Sequence, residues 1–471
     1  MSRRACVIGA GPNGLAAAIV LAQGGLQVEV FEAEPQPGGA ARTLELTIPG
    51  FLHDFGSAVH PLAVGSPFFS SLPLAKYGLD WIHSPLALAH PLDDGTAVTL
   101  QRDLFASCAT LGRDGHPWRR LMEPFARHWP VLSAEVLRPI HILSRHPWLL
   151  ARFGLSALPP ANAVSNFLFR EERTKALFAG LAAHSFLSLD EPLSAGFGVL
   201  LGAAAHAGGW PIPRGGAQSI TTALCGYLSS LGATIKTSAR VERLRDLPGH
   251  DVTLCDVTPQ QLLRMTDGQL SERYRSKLQE FRYGPGVFKV DYALASPIPW
   301  TAGESLRAAT VHVGGSAAEI TASEAAVRSG KHAERPFILL AQPSLFDKTR
   351  APEGKHTAWA YCHVPNGSNV DMLERFERQI ERFAPGFRDC VIARRVFSPA
   401  AIEAMDANLM GGDIGGGAMD LRQFAFRPTW RRYATSARDL YMCSSSTPPG
   451  AGVHGMCGYH AARAALSRLR E

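Results

Sequence analysis

The stretch VIGAGPNGLAAAIVLAQGGLQVEVFEAEPQPGGAART, residues 7–43, decides the fold of this chain. ACVIGAG (5–11) is a short, continuously apolar run, which is typical of a strand buried on both faces in a parallel sheet. NGLAAAIVLAQGG (13–25) then places apolar residues at helical spacing and ends on two glycines, and LQVEVFEAE (26–34) predicts a second strand. Together these elements predict one β-α-β unit.

The glycines of this unit are spaced as a dinucleotide-binding loop requires. Gly9 allows a tight turn, Gly11 lets the backbone approach a pyrophosphate, and Gly14 lets helix and strand pack closely. The start of the helix then points its unpaired N–H groups at the phosphates. Glu32 ends the second strand, where a carboxylate can bond the ribose hydroxyls and repels a 2′-phosphate, so NADP is disfavoured. A glycine-rich loop in some other α/β protein is the alternative interpretation.

The next residues distinguish FAD from NAD as the ligand. PGGAART (37–43) places two more glycines and Arg42 directly after the ribose carboxylate. A second backbone loop with a guanidinium suits a longer, folded ligand whose far half must also be held. With these residues, 7–43 resemble the extended FAD fingerprint of the flavin oxidoreductases that include the phytoene desaturases and the amine oxidases. The resemblance implies one bound FAD.

Three more stretches extend the resemblance. PGFLHDFGSAVHPL (49–62) looks like the family segment that runs from the sheet toward the flavin ring. PIPRGGAQSITTALCGYLSSLGATIKTSARVERL (211–244) is similar to the family's central motif, in which a valine that matches Val241 contacts the adenine through its backbone. DVTLCDVTP (251–259) predicts a further strand of the same domain.

The C-terminal stretch RDLYMCSSSTPPGAGVHGMCGYHAARAAL (438–466) is the most discriminating. Its predicted strand, Pro/Gly turn and helix would aim backbone N–H groups at the pyrimidine edge of the flavin, where reduced flavin carries negative charge. This stretch resembles the branch of phytoene desaturases and carotenoid isomerases. Amine oxidases end instead on a glycine–glutamate motif after the strand, where this chain has serines.

The resemblance implies a set of residues around the cofactor. FAD contacts are expected from Gly9, Gly11, Pro12, Asn13, Gly14, Glu32, Gly39, Ala40, Arg42, Ser57, Val241, Gly450, Gly452 and Val453. No acid–base pair stands out, and the candidates for a polar contact near the flavin ring are His60 and His454. The candidates for the substrate pocket are His60, His184 and His206. The residue pattern predicts no metal site.

The expected fold class is α/β, with a Rossmann-like FAD-binding domain of the glutathione-reductase type and a substrate domain with a mixed sheet and a helical cap. The FAD-binding domain is expected to be discontinuous and to comprise 1–70, 208–285 and 420–471. The substrate domain is expected to comprise 71–207 and 286–419. No second glycine fingerprint follows a predicted strand, so a separate NAD domain is not expected.

Composition limits the partners of the 471-residue chain. A formal charge of +6 without a concentrated Lys/Arg run does not predict nucleic-acid binding. The eight cysteines are scattered, and no stretch reaches the ~18 apolar residues of a spanning helix, which together predict a cytoplasmic protein. Trp118, Trp129 and Trp148 among arginines suggest peripheral contact with the inner face of the membrane, although ordinary core residues are the favoured alternative.

The predicted function is that of an FAD-dependent dehydrogenase, desaturase or isomerase acting on an apolar substrate such as an isoprenoid or polyene, with oxygen or a quinone as electron acceptor. The apolar runs NFLF (166–169), ALFAGLAA (176–183) and AGFGVLL (195–201) are expected to line its pocket. An amine or amino-acid oxidase is the enzymatic alternative. A flavin-bearing binding protein without turnover is the alternative from another class.

Overall fold

The structure is a computed structural model and describes residues 3–140 and 144–470. Its strands are β1 (Arg4–Ile8), β2 (Gln27–Phe31), β3 (Thr43–Glu45), β4 (Leu52–Asp54), β5 (Trp81–Ile82), β6 (Leu86–Pro91), β7 (Ala97–Leu100), β8 (Ile212–Pro213), β9 (Thr234–Lys236), β10 (Val252–Cys255), β11 (Gly286–Leu294), β12 (Ala308–Val313), β13 (Ile338–Ala341), β14 (His356–Val364), β15 (Val391–Phe397) and β16 (Leu440–Met442).

The α-helices are α1 (Pro12–Gln23), α2 (Pro61–Val64), α3 (Pro67–Ser70), α4 (Leu104–Thr110), α5 (Gly115–Arg127), α6 (Trp129–Val136), α7 (Pro147–Ala157), α8 (Ala161–Leu168), α9 (Glu172–Ala183), α10 (Ser194–Ala207), α11 (Gln218–Ser230), α12 (Pro259–Met265), α13 (Glu272–Gln279), α14 (Ala317–Arg328), α15 (Leu373–Glu381), α16 (Pro399–Met405), α17 (Leu421–Phe426) and α18 (Met456–Arg470). Short 3₁₀ turns connect several of them.

The first sheet is parallel and has the strand order β16-β10-β1-β2-β9. Its central strand β1 is buried from residue 5 to residue 8, because helices cover both faces of a parallel sheet. Helices α1, α11 and α18 pack on one side of it. The strands of this sheet lie within 1–70, 208–285 and 420–471, the three segments assigned to the nucleotide-binding domain, whose exact boundaries stay a prediction.

The second sheet is mixed and has the order β15-β11-β14-β13-β12-β6-β7. Its pairs are antiparallel except β12 with β6, which is parallel. One face packs against α15 in a mainly hydrophobic cluster, and the other faces the helical cap formed by α5 to α10. The predicted fold class, a Rossmann-like domain joined to a mixed sheet with helices, is confirmed.

The apolar runs of the cap differ from the expectation. In ALFAGLAA (176–183) every residue is buried, because α9 packs on α10, α14 and the sheet. Much of AGFGVLL (195–201) is buried in the same core, whereas Phe167 of NFLF (166–169) is 82% exposed. These runs therefore serve mainly as packing surface between helices, and the walls of a substrate pocket must come largely from elsewhere.

Candidate functional site

A cleft opens where the strands of the parallel sheet end. Six of the predicted cofactor residues line it together: Gly9, Gly11, Glu32, Gly39, Arg42 and Val241. The same cleft is lined by Asp256, Gln261, Asp406 and Asn408, which were not predicted from the sequence. This is the expected place for a ligand in an open parallel sheet, at the carboxyl ends of the strands.

The glycine loop forms the floor of this cleft. Gly9 has a φ of +94°, a conformation that suits glycine, and a Cβ built on Gly14 would lie 2.0 Å from the carbonyl oxygen of Gly9. Gly11 precedes α1 without a side-chain cap, and Pro12 occupies the first turn. The buried Oδ1 of Asn13 has no hydrogen-bond partner among the described residues. The open helix start fits a bound pyrophosphate, because its unpaired backbone N–H groups are donors that the phosphate oxygens can accept from.

Backbone N–H groups hold both carboxylate oxygens of Glu32. Its Oε2 accepts a hydrogen bond from the Ala10 N–H at 2.7 Å, and its Oε1 accepts one from the Glu34 N–H at 2.9 Å. A carboxylate offers about four acceptor positions, so two remain for ribose hydroxyls. The side chain is buried in the cleft wall, and its negative charge disfavours a 2′-phosphate there.

The second glycine loop touches the first. A Cβ on Gly39 would lie 3.3 Å from the Cα of Gly11, so the two loops leave no room for a side chain between them. Arg42 donates from Nε to the Gly39 carbonyl at 2.7 Å and from Nη2 to the Met405 carbonyl at 2.6 Å. Its guanidinium also lies over the Phe55 ring. Arg42 therefore joins this loop to the end of α16.

Asp256 is the most important site residue that was not predicted from the sequence. Its Oδ2 accepts a hydrogen bond from the Gly14 N–H at 2.8 Å, directly beneath the glycine loop. Burial raises the pKa of Asp256 to about 8, the hydrogen bond from Gly14 opposes this shift, and the charges of Asp406 and Glu32 add to it. The signal was available: Asp256 ends the strand run DVTLCD, which parallel pairing places beside the glycine loop.

The C-terminal segment lies against the glycine loop. A Cβ on Gly458 would lie 1.8 Å from the Asn13 carbonyl oxygen, so α18 and α1 touch through their backbones. In the turn before α18, Gly450 and Gly452 have φ values of +107° and +123°, and Val453 packs against the core of the nucleotide-binding domain. The structure thus brings these residues to the same side of the molecule as the first glycine loop.

His454 has a structural role in this turn. Its Nδ1 accepts from the Met456 N–H at 3.0 Å, and its Nε2 donates to the Ala451 carbonyl at 3.2 Å. Burial lowers its pKa to about 4. Both ring nitrogens are occupied, so His454 is not available as a polar contact to the flavin or as a base.

His60 and Ser57, unlike His454, have buried polar atoms that make no hydrogen bond to any residue that the structure describes. Both ring nitrogens of His60 and the Ser57 hydroxyl are buried without a hydrogen-bond partner among residues 3–140 and 144–470. Burial lowers the pKa of His60 to about 4, so the imidazole is neutral near pH 7. A buried polar group without a partner is costly, and these atoms therefore mark a surface that a bound group completes.

A charged cluster joins β4 to the mixed sheet next to this segment. Asp54 pairs with Arg350 at 2.7 Å, and both side chains are fully buried. On the inner face of β11, Lys289 forms an ion pair with Asp291, whose Oδ1 lies 3.8 Å from His53 Nδ1. This cluster was not predicted, although HD (53–54) and KVD (289–291) place charges inside otherwise apolar strands.

The two remaining histidine candidates lie in different places. His206 accepts from the Trp118 indole N–H at 3.0 Å and donates from Nδ1 to the Arg102 carbonyl at 3.3 Å, so neither nitrogen is left for a substrate. His184 lies deeper, with its Nε2 3.1 Å from His312 Nε2. No group of three or more His, Cys, Asp or Glu side chains in the described part of the chain could hold a metal ion.

Sequence comparison matches this chain to one domain model and to several proteins along most of their length. Residues 7–69 match the model of the NAD(P)-binding Rossmann-like domain. Pyridine nucleotide-disulfide oxidoreductase domain-containing protein 2 of Mus musculus is 27% identical over 99% of this chain and 94% of its own length. Phytoene desaturase (lycopene-forming) of Pseudescherichia vulneris is 24% identical over 98% of this chain and 99% of its own length.

Solved structures agree in fold. An oxidoreductase from Methanosarcina mazei matches with a TM-score of 0.67 at 17% identity, covering 98% of this chain and all of the other. Putrescine oxidase bound to putrescine matches with a TM-score of 0.61 at 15% identity, covering 100% of this chain and 99% of the other. The chain thus shares a Rossmann-like nucleotide-binding part with oxidoreductases, which are the class of its full-length sequence relatives. Within this class, the predicted resemblance to the phytoene desaturases is confirmed.

We predict that Asp256→Asn changes the pH dependence of stability. A free aspartate has a pKa near ~3.9, so between about pH 4 and 8 the folded chain holds a proton that the unfolded chain has lost. Stability therefore falls as pH rises through this interval, by at most ~1.4 kcal/mol per pH unit. Asparagine keeps an acceptor for the Gly14 N–H without ionising, so the variant should be the more stable protein near pH 8.

Urea unfolding of the cofactor-free proteins over this pH range measures the difference. Asp389→Asn is the matched control, because Asp389 is exposed on the surface. An Asp256→Asn variant with the same pH profile as the unmodified protein would contradict the assignment of a buried, protonated carboxyl at this loop.

Proposed function

We propose that this chain binds FAD and acts as an FAD-dependent oxidoreductase on a largely apolar substrate, such as an isoprenoid or polyene. The observation that carries the proposal is the contact between two glycine loops, in which Gly39 lies against Gly11 and Arg42 fixes the second loop. One loop suffices for the pyrophosphate of NAD, whereas the second supports the further half of a longer dinucleotide. Bound flavin would accept hydride from a C–H bond.

The relatives support the substrate class. Over most of this chain, the similar sequences include enzymes named phytoene desaturase and phytoene dehydrogenase, and a shorter match is to part of a limonene dehydrogenase. Removing hydride and a proton from neighbouring carbons of such a molecule leaves a double bond. Oxygen or a quinone is the acceptor we propose for the electrons.

The proton needs an acceptor among the chain's own residues, and Asp291 is the best placed. It lies on the inner face of β11, beside Lys289 and His53. Burial raises its pKa to about 6, and the neighbouring Lys289 opposes that shift. Its Oδ1 is buried without a hydrogen bond among the described residues, so this oxygen is free to take up a proton.

An amine oxidase remains the second candidate, because solved amine oxidases share the fold. The C-terminal stretch favours the desaturase branch, since Ser444, Ser445 and Ser446 stand where the amine oxidases carry a glycine–glutamate motif.

Contact with a membrane is a further part of the proposal. Trp118 and Trp129 are buried, but Trp148, Leu155 and Phe167 are 87%, 80% and 82% exposed on α7 and α8. Solvent-exposed apolar side chains of this size on neighbouring helices are typical of an interaction surface. Among the described residues, no helix has the length and apolar character to cross a bilayer.

We expect the double variant Trp148→Ser/Phe167→Ser to lose most of its binding to vesicles that contain anionic lipid, measured by co-sedimentation. Trp430→Ser is the matched control, because Trp430 is 71% exposed but lies elsewhere, beside α17. Equal binding of all three proteins would remove the membrane surface from the proposal and leave the oxidoreductase function untouched.

We predict that the purified protein is yellow and carries one non-covalent FAD per chain. Gly11→Val should release the cofactor, because a β-branched side chain would occupy the space between Asp256 and Gly39. Glu32→Ala should weaken binding by ~1.5–3 kcal/mol through loss of its charge-assisted hydrogen bonds. Flavin absorbance and equilibrium dialysis measure both effects, with Gly249→Val as control. A colourless protein that binds NAD would contradict the FAD assignment.

Substrate class can be tested by anaerobic flavin bleaching. The holoenzyme is mixed with polyenes, terpenoids, amines and amino acids, and reduction is followed by the loss of flavin absorbance. We expect apolar compounds to bleach the flavin, and Asp291→Asn to slow bleaching at least tenfold while FAD stays bound. Rapid bleaching by a small amine, with none by any apolar compound, would favour the oxidase alternative.

A further inference from the structure

The face of the mixed sheet that looks toward the helical cap, here called the inner face, is unexpectedly polar. The opposite face is mainly hydrophobic, and its Tyr292 hydroxyl donates to Glu377 of α15. On the inner face, neighbouring strands carry Lys289, Tyr361 and His312, each flanked in sequence by residues of the hydrophobic face. A sheet buried on both faces needs no such groups for packing. Their presence on one side indicates a surface with a binding role.

These side chains form a row across the strands. Lys289 on β11 is paired with Tyr361 on β14, Tyr361 with Leu339 on β13, and Leu339 with His312 on β12. Neighbouring strands lie ~4.8 Å apart, so Lys289 and His312 are separated by about 14 Å. The Lys289 end adjoins His53 and the segment that leads toward the proposed flavin site. The His312 end is the remote end of the row.

His184 is held at this remote end by a hydrogen bond with His312. Its Nε2 lies 3.1 Å from His312 Nε2, and α9 can come this close to the sheet because residue 180 is glycine: a Cβ there would lie 2.5 Å from His312 Nδ1. Only one of the two Nε2 atoms carries the shared proton, so one outward Nδ1 is a donor and the other an acceptor. His312 Nδ1 is sealed against α9, whereas His184 remains partly accessible.

A second imidazole lies beside the first. His363 of β14 forms a 2.6 Å hydrogen bond with Glu324 of α14, and the Phe186 ring stacks on it with 4.2 Å between ring centroids. Phe186 has a φ of +60°, a left-handed conformation that is unfavourable for a non-glycine residue. A strained backbone conformation of this kind persists where the surrounding structure requires it. Here it places the Phe186 ring against His363, two residues after His184.

Several polar atoms of this region have no partner in the described part of the chain. They are His90 Nδ1, His312 Nδ1, Glu324 Oε1, Trp359 Nε1 and His363 Nε2. Native proteins leave few buried polar atoms unpaired, because each has lost the hydrogen bonds that water would supply. A pure hydrocarbon lying along the row would leave every one of them unsatisfied, whereas a ligand oxygen can pair with those within its reach.

The charges of the side chains at the His312 end of the row determine which kind of ligand oxygen can bind there. Burial lowers the pKa of His184 to about 3 and that of His90 to about 4, so both rings are neutral near pH 7. Glu324 presents an unpaired carboxylate oxygen next to His363. A carboxylate group on the ligand would face the Glu324 carboxylate and would find no unpaired cation there among the described side chains, because His363 is already hydrogen-bonded to Glu324. An uncharged hydroxyl or carbonyl meets no such penalty.

We propose that the substrate is a long apolar molecule that carries one uncharged oxygen function, a hydroxyl or a carbonyl, which His184 binds by a hydrogen bond at the end of the inner face remote from Lys289. His312 is a positioning residue that fixes the ring of His184. The inference rests on the proposed function, since that function places the reacting carbons at the Lys289 end of the row.

The test compares ligands that differ only in their end group. Geranylgeraniol, geranylgeranial, geranylgeranoic acid and the corresponding hydrocarbon are titrated into the holoenzyme in one detergent, and binding is followed by quenching of protein fluorescence. We expect the alcohol and the aldehyde to bind roughly three- to tenfold more tightly than the hydrocarbon and the acid, which is the effect of one hydrogen bond. His184→Phe should remove this preference.

Two further variants keep the test decisive. His184→Gln retains a donor and should restore part of the preference even if the phenylalanine variant folds poorly, and His116→Phe is an exposed control that should behave like the unmodified protein. Equal affinities for alcohol and hydrocarbon, tightest binding of the acid, a preference that survives in His184→Phe, or no binding of any compound would each overturn the proposal. Failure of the proposed function is seen separately, as absent FAD or absent flavin bleaching.

Discussion

The nucleotide-binding half of this protein depends on one close approach of backbones. Gly14 lets α1 lie against the carbonyl of Gly9, and Gly458 lets α18 lie against the carbonyl of Asn13 on the other side of the same helix start. A methyl group at either position would have to displace main chain, which cannot shift without moving β1 or α18. Because both contacts hold the first turn of α1, they also fix the direction of its unpaired N–H groups and hence the position of a bound phosphate.

A buried ion pair connects this half to the other. Asp54 accepts hydrogen bonds from the Thr43 hydroxyl and the Ala217 N–H while it pairs with Arg350, so one carboxylate joins three distant parts of the chain. Burial alone would raise the pKa of Asp54, but Arg350 and these hydrogen bonds hold it below the usual value. Loss of one partner would leave the other charge uncompensated, at a cost of about 3–5 kcal/mol. The pair therefore fixes the β3–β4 hairpin and the start of α11 against the 3₁₀ turn that ends at Arg350.

The sequence predicted site residues that lie within one local unit, and it did not predict contacts between residues far apart in the chain. Gly9, Gly14 and Glu32 were predictable because each follows or precedes a strand within one β-α-β unit, where spacing alone determines their positions. Asp256 reaches the same loop from about 240 residues away, through pairing of β10 with β1. The contact of His184 with His312 depends on how α9 packs on the mixed sheet. No hydrophobic periodicity or motif spacing in the sequence indicates either contact.

The same reasoning explains why apolar runs were a poor guide to the substrate pocket. Leu177, Phe178 and Leu181 are fully buried because a helix between other helices and a sheet must be apolar around most of its circumference. A binding surface carries the opposite signal, polar side chains kept inside strands that would be more stable without them. Tyr361 and His363 alternate on β14 with Ala360 and Cys362, which belong to the hydrophobic face or its core. Most polar side chains of β11, β12 and β14 lie on the inner face, and this asymmetry between the two faces is itself an argument that the inner face binds a ligand.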